Sequence, residues 1–209
     1  MEKERKGRII AIVGAPRAGK SFLVRKLAKH FGGGAILEGE EKDFPARLKD
    51  DIKENIRPLE RMIWFRNKMV KDHMKAEALK KEGKIVVMDT FWMSLEPYIP
   101  ILTEGFEREI CQDIFDIDAR SLTMPDLVIL LQNSPENTRN FLKLGKRDFD
   151  AGKIYSDEYI VLNQEMHNKA FSKEKIPGKL IVLDRTNLDF EKGDDLQILL
   201  KEIEGNLSM

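Results

Sequence analysis

Residues 14–21 read Gly-Ala-Pro-Arg-Ala-Gly-Lys-Ser, a spacing of glycines, one lysine and one hydroxyl that suits the holding of a polyphosphate. Gly14 and Gly19 let the backbone curl until successive amide N–H groups face one anion. Lys20 then reaches the β- and γ-oxygens as a point charge, and the Ser21 hydroxyl takes a Mg²⁺ coordination position. Every constrained position of the pattern G-x-x-x-x-G-K-[ST] is met. The phosphate-binding segment is therefore expected to comprise Gly14, Ala15, Pro16, Arg17, Ala18, Gly19, Lys20 and Ser21, with Phe22 directly behind it.

That chemistry needs a strand before the loop and a helix after it. Ile-Ile-Ala-Ile-Val at 9–13 is a buried-strand run, and the amphipathic segment from Phe22 to Phe31 supplies a helix whose N-terminus adds partial positive charge. A second strand is expected at Ala35–Leu37, placing Glu38 at its carboxyl end, where an open α/β sheet keeps its ligand crevice. A carboxylate there suits a substrate hydroxyl or a metal-bound water. Glu40, Glu41 and Asp43 read as a solvated acidic turn.

The run Ile85–Met88 ends in Asp89, the form of a buried parallel strand with a carboxylate at its tip. If this strand lies beside the first, Asp89 stands near the Mg²⁺ on Ser21 or near an acceptor hydroxyl. The alternative is that Asp89 only caps a helix. Two further strands are expected at Leu127–Leu131 and at the run ending in Asp184. Five strands alternating with helices imply a parallel sheet with right-handed crossovers.

Between these strands the chain is helical. The segment from Phe44 to Gly83 carries a long amphipathic helix whose Leu59, Met62, Ile63, Phe65, Met69 and Val70 recur at core spacing. Trp64, Arg66 and His73 border the region where an acceptor would lie, and structural use is the simpler reading of each. Residues 92–124 show mixed helical periodicity. Ser134 as N-cap and Pro135 behind it start another helix. Arg139, Lys143 and Lys146 share one face of it if it continues, and Arg147 joins them. That cluster is either a solvated basic face or a lid, near 139–153, that closes over a transferring phosphoryl group. A helix from Ser156 to Phe171 and a last one from Asp194 to about Glu204 complete the chain.

The 209 residues are 42% hydrophobic, enough for a single α/β domain spanning 1–209. Lysine plus arginine equals aspartate plus glutamate, 36 against 36, so no summed field draws nucleic acid or an anionic membrane. Cys111 is the sole cysteine, no apolar run approaches a membrane span, and the first residues lack a signal-peptide core. A cytoplasmic protein is expected. Repeats, low-complexity tracts and the Asn-Lys-x-Asp guanine motif do not occur.

The order of these motifs resembles the deoxynucleoside kinases: the loop at 14–21, Glu38, the IWFRNK helix, Asp89, MPDLVILLQNSPE at 124–136, the basic Gly145–Lys146 stretch and LIVLDRTNLDF at 180–190. The resemblance covers nearly the whole chain. It implies a P-loop NTPase fold of the nucleoside and nucleotide kinase kind, a homodimer built from helices, Mg-ATP as donor, and γ-phosphoryl transfer to a nucleoside 5′-hydroxyl. Lys20, Asp89, Glu38 and Lys146 then carry the chemistry, Ser21 and Asp89 hold the metal, and Arg139, Lys143 and Arg147 serve the nucleotide. Lys146 matches the arginine of that family's lid. Thr90 stands where the family has an arginine after the acid, and Met62 where it has a base-reading glutamine. The loop also resembles that of thymidylate kinases, whose catalytic arginine Arg17 matches, although Pro16 replaces their aspartate. Three readings stay open: nucleoside kinase, nucleoside monophosphate kinase, and a nucleotide-binding module without an acceptor.

Overall fold

A computed structural model describes residues 6–39, 43–145, 156–176, 178, 180–191 and 194–207. Its centre is a five-stranded parallel sheet in the order β2-β3-β1-β4-β5. The strands are β1 (Arg8–Val13), β2 (Gly34–Ile36), β3 (Ile85–Asp89), β4 (Leu127–Gln132) and β5 (Leu180–Asp184). The helices are α1 (Lys20–Phe31), α2 (Ala46–Glu54), α3 (Pro58–Lys81), α4 (Ile99–Leu102), α5 (Gly105–Ser121), α6 (Pro135–Gly145), α7 (Asp157–Ala170) and α8 (Asp194–Leu207). A 3-10 helix, Trp92–Tyr98, links β3 to α4.

The period of two along β1 divides the interior. Ile9, Ala11 and Val13 enter one core with Met62, Phe91, Trp92, Phe115 and Phe171, while Ile10 and Ile12 enter the other with Leu23, Leu27, Leu199 and Ile203. The first core is roofed by α3, α5 and α7, the second by α1 and α8. Both faces are covered, so the central strands are apolar without alternation.

Several boundaries move relative to the sequence reading. The second strand is Gly34–Ile36, one residue earlier than expected, and the final helix runs on to Leu207. The segment from Phe44 to Gly83 is two helices with a sharp corner, where Asn55 (φ 52) and Arg57 (φ 49) both take left-handed backbone. Pro58 at the first turn of α3 explains the break, because it excludes helical backbone from the residue before it. Ile63, expected in the core, is 37% exposed. Its neighbours in the stripe, Met62 and Met69, are buried at 3% and 6%.

Candidate active site

The ladder from β1 to β3 builds the centre of the site. Ile12 pairs with Asp89, and the Thr90 N–H donates to the Ile12 carbonyl at 3.0 Å, so the tip of β3 is held beside the start of the loop. Across that tip the Ser21 hydroxyl donates to Asp89 Oδ2. Asp89 is thus the last residue of its strand and no helix cap; the following 3-10 helix starts behind Phe91. Residues 68 positions apart in sequence meet here.

Gly14 and Gly19 are used for what only glycine does. Gly14 has φ +142, and a Cβ there would lie 2.4 Å from the Leu131 carbonyl oxygen. Gly19 has φ +89 at the entrance to α1. Lys20 folds over the loop, donating to the carbonyls of Gly14 (3.0 Å) and Ala15 (3.2 Å). Ala15 and Ala18 are buried, Pro16, Arg17 and Phe22 half-buried, and Arg17 takes φ 66 at the crest. Phe22 packs on the α1–α8 core and carries Lys26 over its ring at 5.3 Å.

The donor set fits Mg²⁺. Asp89 is 4% exposed, yet its Oδ1 is buried without a hydrogen-bond partner, and the neighbouring oxygens belong to Ser21 and the same carboxylate. An orphaned carboxylate oxygen beside a hydroxyl at a phosphate loop is the hard-oxygen environment that cation prefers. Among the described residues no group of three or more His, Cys, Asp or Glu could hold a metal by itself. Phosphate oxygens would have to complete the coordination.

The remaining expected residues divide. Glu38 lies two positions past β2, whose Ile36 pairs with Met88, and so stands on the same carboxyl edge as Asp89. Arg139 donates through Nε to Asp157 at 2.6 Å, tying α6 to the first turn of α7. Lys143 is exposed on the same helix, while Lys146, Arg147 and the rest of the basic lid lie outside the described residues. Arg66 forms a two-point pair with Asp118, His73 is buried against Thr123, and Trp64 stacks edge-on with Phe44 and Phe65, all structural uses.

Sequence reasoning missed the wall beside the loop. A cavity of about 340 Å³ is lined by Ala15, Pro16 and Ala18 together with Asn133, Thr138, Gln164 and His167. Gln164 donates to the Asn133 carbonyl at 2.8 Å, and His167 Nδ1–H donates to the Asn163 carbonyl at 2.8 Å. Burial pushes the His167 imidazole down to about 3, the Asn163 carbonyl opposing and the nearby Lys20 charge assisting. In sequence these are unremarkable members of an amphipathic helix. Arg185, the first residue after β5, also reaches the loop and donates to the Ala18 carbonyl at 3.1 Å. Its strand-end position was the one available signal. A larger cavity, about 470 Å³ between the 3-10 helix, α5 and α7, holds none of the expected residues.

Fold and loop together define a P-loop nucleotide-binding protein. A family model described as an AAA domain matches residues 9–151, and the chain belongs to that family. Among solved structures it is similar to deoxyadenosine kinase from M. mycoides with bound dATP, at TM-score 0.78 and 16% identity over 94% of this chain and 99% of that one. The same enzyme with the products dCMP and dCDP gives TM-score 0.77 and 15% identity over 94% and 99%. Thymidylate kinase from Candida albicans gives TM-score 0.70 and 16% identity over 96% and 92%. At such identities the likeness establishes the fold, that of the P-loop kinases. No curated protein matches the chain in sequence.

Proposed function

We propose that this chain is an ATP-dependent phosphotransferase that moves the γ-phosphoryl group to the 5′-hydroxyl of a nucleoside or deoxynucleoside. The observation that carries the reading is the Ser21–Asp89 contact at the mouth of the loop, with the second Asp89 oxygen left unpartnered. Resemblance to the deoxynucleoside kinases in motif order and in fold supports the class of acceptor.

In this reading the loop amides and Lys20 bind and orient the phosphates, and a bound Mg²⁺, held by Ser21 and Asp89, supplies charge neutralisation. The acceptor oxygen bonds to the γ-phosphorus as the bond to the bridging oxygen breaks and ADP leaves. The acceptor's proton passes to a carboxylate at the sheet edge, Asp89 or Glu38, whichever is not engaged with the metal. Lys143, together with Lys146 and Arg147 outside the described residues, would supply positive charge to the transferring group. Neutralising these three together lowers kcat more than ATP affinity if closure serves the transition state.

Arg17 at the crest of the loop favours a second reading, transfer to a nucleoside monophosphate, because thymidylate kinases place a catalytic arginine there. We place the enzyme in the cytoplasm and expect a small-molecule acceptor. No described helix is long and apolar enough to cross a membrane, and the balanced charge gives nucleic acid no purchase. A homodimer is our further expectation, supported by exposed apolar side chains on α3 (Ile63, Met74) and on α5 (Phe106, Ile117). Sedimentation at micromolar concentration tests it, with a monomer as the refuting result.

The deciding assay measures ADP release with a panel of nucleosides and nucleoside monophosphates. Nucleoside-dependent turnover supports the first reading and monophosphate-dependent turnover the second. If ATP raises the melting temperature but no acceptor supports turnover, the chain is a nucleotide-binding module.

A further inference from the structure

Arg185 is a cation placed against the phosphate loop, with no ion pair to it among the described residues. Its backbone N–H continues the β4–β5 ladder by donating to the Gln132 carbonyl at 2.9 Å, which fixes where the side chain starts. The side chain then crosses to the loop. Nη1 donates to the Ala18 carbonyl at 3.1 Å, and a Cβ built on Gly19 would lie 1.8 Å from that same nitrogen. The guanidinium carbon lies 5.0 Å from the centre of the Phe190 ring and 5.9 Å from that of Phe141.

Its hydrogen bonding is incomplete. Arg185 forms no ion pair among the described residues, and its Nε is buried without a partner. Burial lowers its pKa from the usual arginine range, and Asp189, the carboxylate acting on it, only partly opposes this. Among the described residues Arg61 also has a buried, unpartnered Nε, but its other nitrogens bond the Asn55 carboxamide and the Asp51 carbonyl, and Arg66 has Asp118. A guanidinium half withdrawn from water with only one carbonyl to bond is held at a cost unless an anion arrives. The loop beside it is the place where the anion is expected.

We propose that Arg185 is a donor-binding residue, a second cation beside Lys20 that gives its charge to the phosphate chain from the Gly19 end of the loop. The proposal rests on the phosphate-loop reading above but concerns a residue outside the loop motif. Phe190 and Phe141 hold the guanidinium plane, and the Ala18 bond sets its distance from the loop. Arginine suits this role because its fork can keep the carbonyl bond with one nitrogen and offer others to an oxyanion.

The test is titration calorimetry of the full chain with Mg-ATP and with Mg-tripolyphosphate, which has the charge and no base. Arg185→Gln is expected to weaken both by about 10- to 30-fold, the range for a lost charge-assisted hydrogen bond. Arg185→Lys keeps the charge and is expected to lose less. Lys175→Gln, which removes a distant surface charge, is expected to change neither. If Arg185→Gln weakens ATP but not tripolyphosphate, the side chain acts on the base, and the proposal is overturned. Equal losses in the Gln and Lys variants overturn it as well, because shape rather than charge would then matter. Should Arg185→Gln fail to fold, the salt dependence of tripolyphosphate binding by Arg185→Lys and wild type decides: curves that differ in slope refute a conserved charge contribution. Wild-type tripolyphosphate binding by Lys20→Ala would instead mark the phosphate-loop reading itself as the failure.

Discussion

The phosphate-loop end of the sheet and the α2–α3 helices are built by different means. At the donor end one contiguous run, Gly14 to Ser21, makes the phosphate cradle, and a single long-range contact, Ser21 to Asp89, completes it. At the other end the groups come from separate helices and are spent on one another. Arg57 hydrogen-bonds the buried Asp51 and holds its carboxyl below the usual range, Arg61 bonds Asn55, Arg66 clasps Asp118, and Phe44 stacks with Trp64 and Phe65. Buried side-chain atoms without a hydrogen-bond partner occur in both regions, but of different kinds: beside the loop they include the carboxylate oxygen Asp89 Oδ1 along with Arg185 Nε, while around α3 they are the nitrogens Arg57 Nε, Arg61 Nε and His73 Nδ1, each on a side chain bonded through its other atoms. A buried carboxylate oxygen with no donor beside it calls for a cation, whereas the arginines and histidine around α3, bonded through their other nitrogens, are still held as scaffold.

This contrast predicts a rate defect without a folding defect at one end and the reverse at the other. Lys20→Ala should cut turnover by roughly a thousandfold, about 4 kcal/mol of transition-state stabilisation, with the urea midpoint unmoved. Asp89→Asn should cost about a hundredfold in rate, roughly 3 kcal/mol, and leave the melting temperature equal or higher because a buried charge is gone. An equally large fall in stability for either variant would erase the distinction. On the scaffold side, Asp118→Ala strands the Arg66 guanidinium and should cost about 2 kcal/mol in urea unfolding, discounted for partial exposure, with KM for ATP unchanged.

His167 sharpens the comparison through pH. Folded, it stays neutral down to about pH 3, whereas the unfolded chain protonates near pH 6.5. The unfolded state therefore binds the extra proton as pH falls, so the contribution is fully present above the unfolded pKa and declines below it. Between pH 7 and pH 5 this amounts to about 2 kcal/mol, read by urea unfolding, and His167→Gln should flatten the slope. Burial lowers His73 also, and its loss runs in the same direction. The smallest effect concerns Thr90, a β-branched residue at φ 67 directly after Asp89. Thr90→Gly should raise stability by up to about 1 kcal/mol by relieving that backbone. If turnover also falls, the strain serves to aim Asp89.

Strand-length apolar runs, the glycine loop and the carboxylate at a strand tip were legible in the sequence because each depends on neighbours within a few residues. Gly14, Gly19, Lys20 and Ser21 could be assigned on spacing alone, and the parallel sheet followed from alternation of strands with helices. The strand order could not be read that way. Only the placement of β3 next to β1 brought Asp89 to Ser21 and set its carboxylate beside the loop rather than at a helix cap. The tertiary structure likewise decided that Arg139 pairs with Asp157 across α6 and α7, that Ile63 faces outward, and that Arg185 lies on Gly19. These outcomes hang on which side chain lies across a crossover from which other, a long-range packing result that local periodicity does not encode.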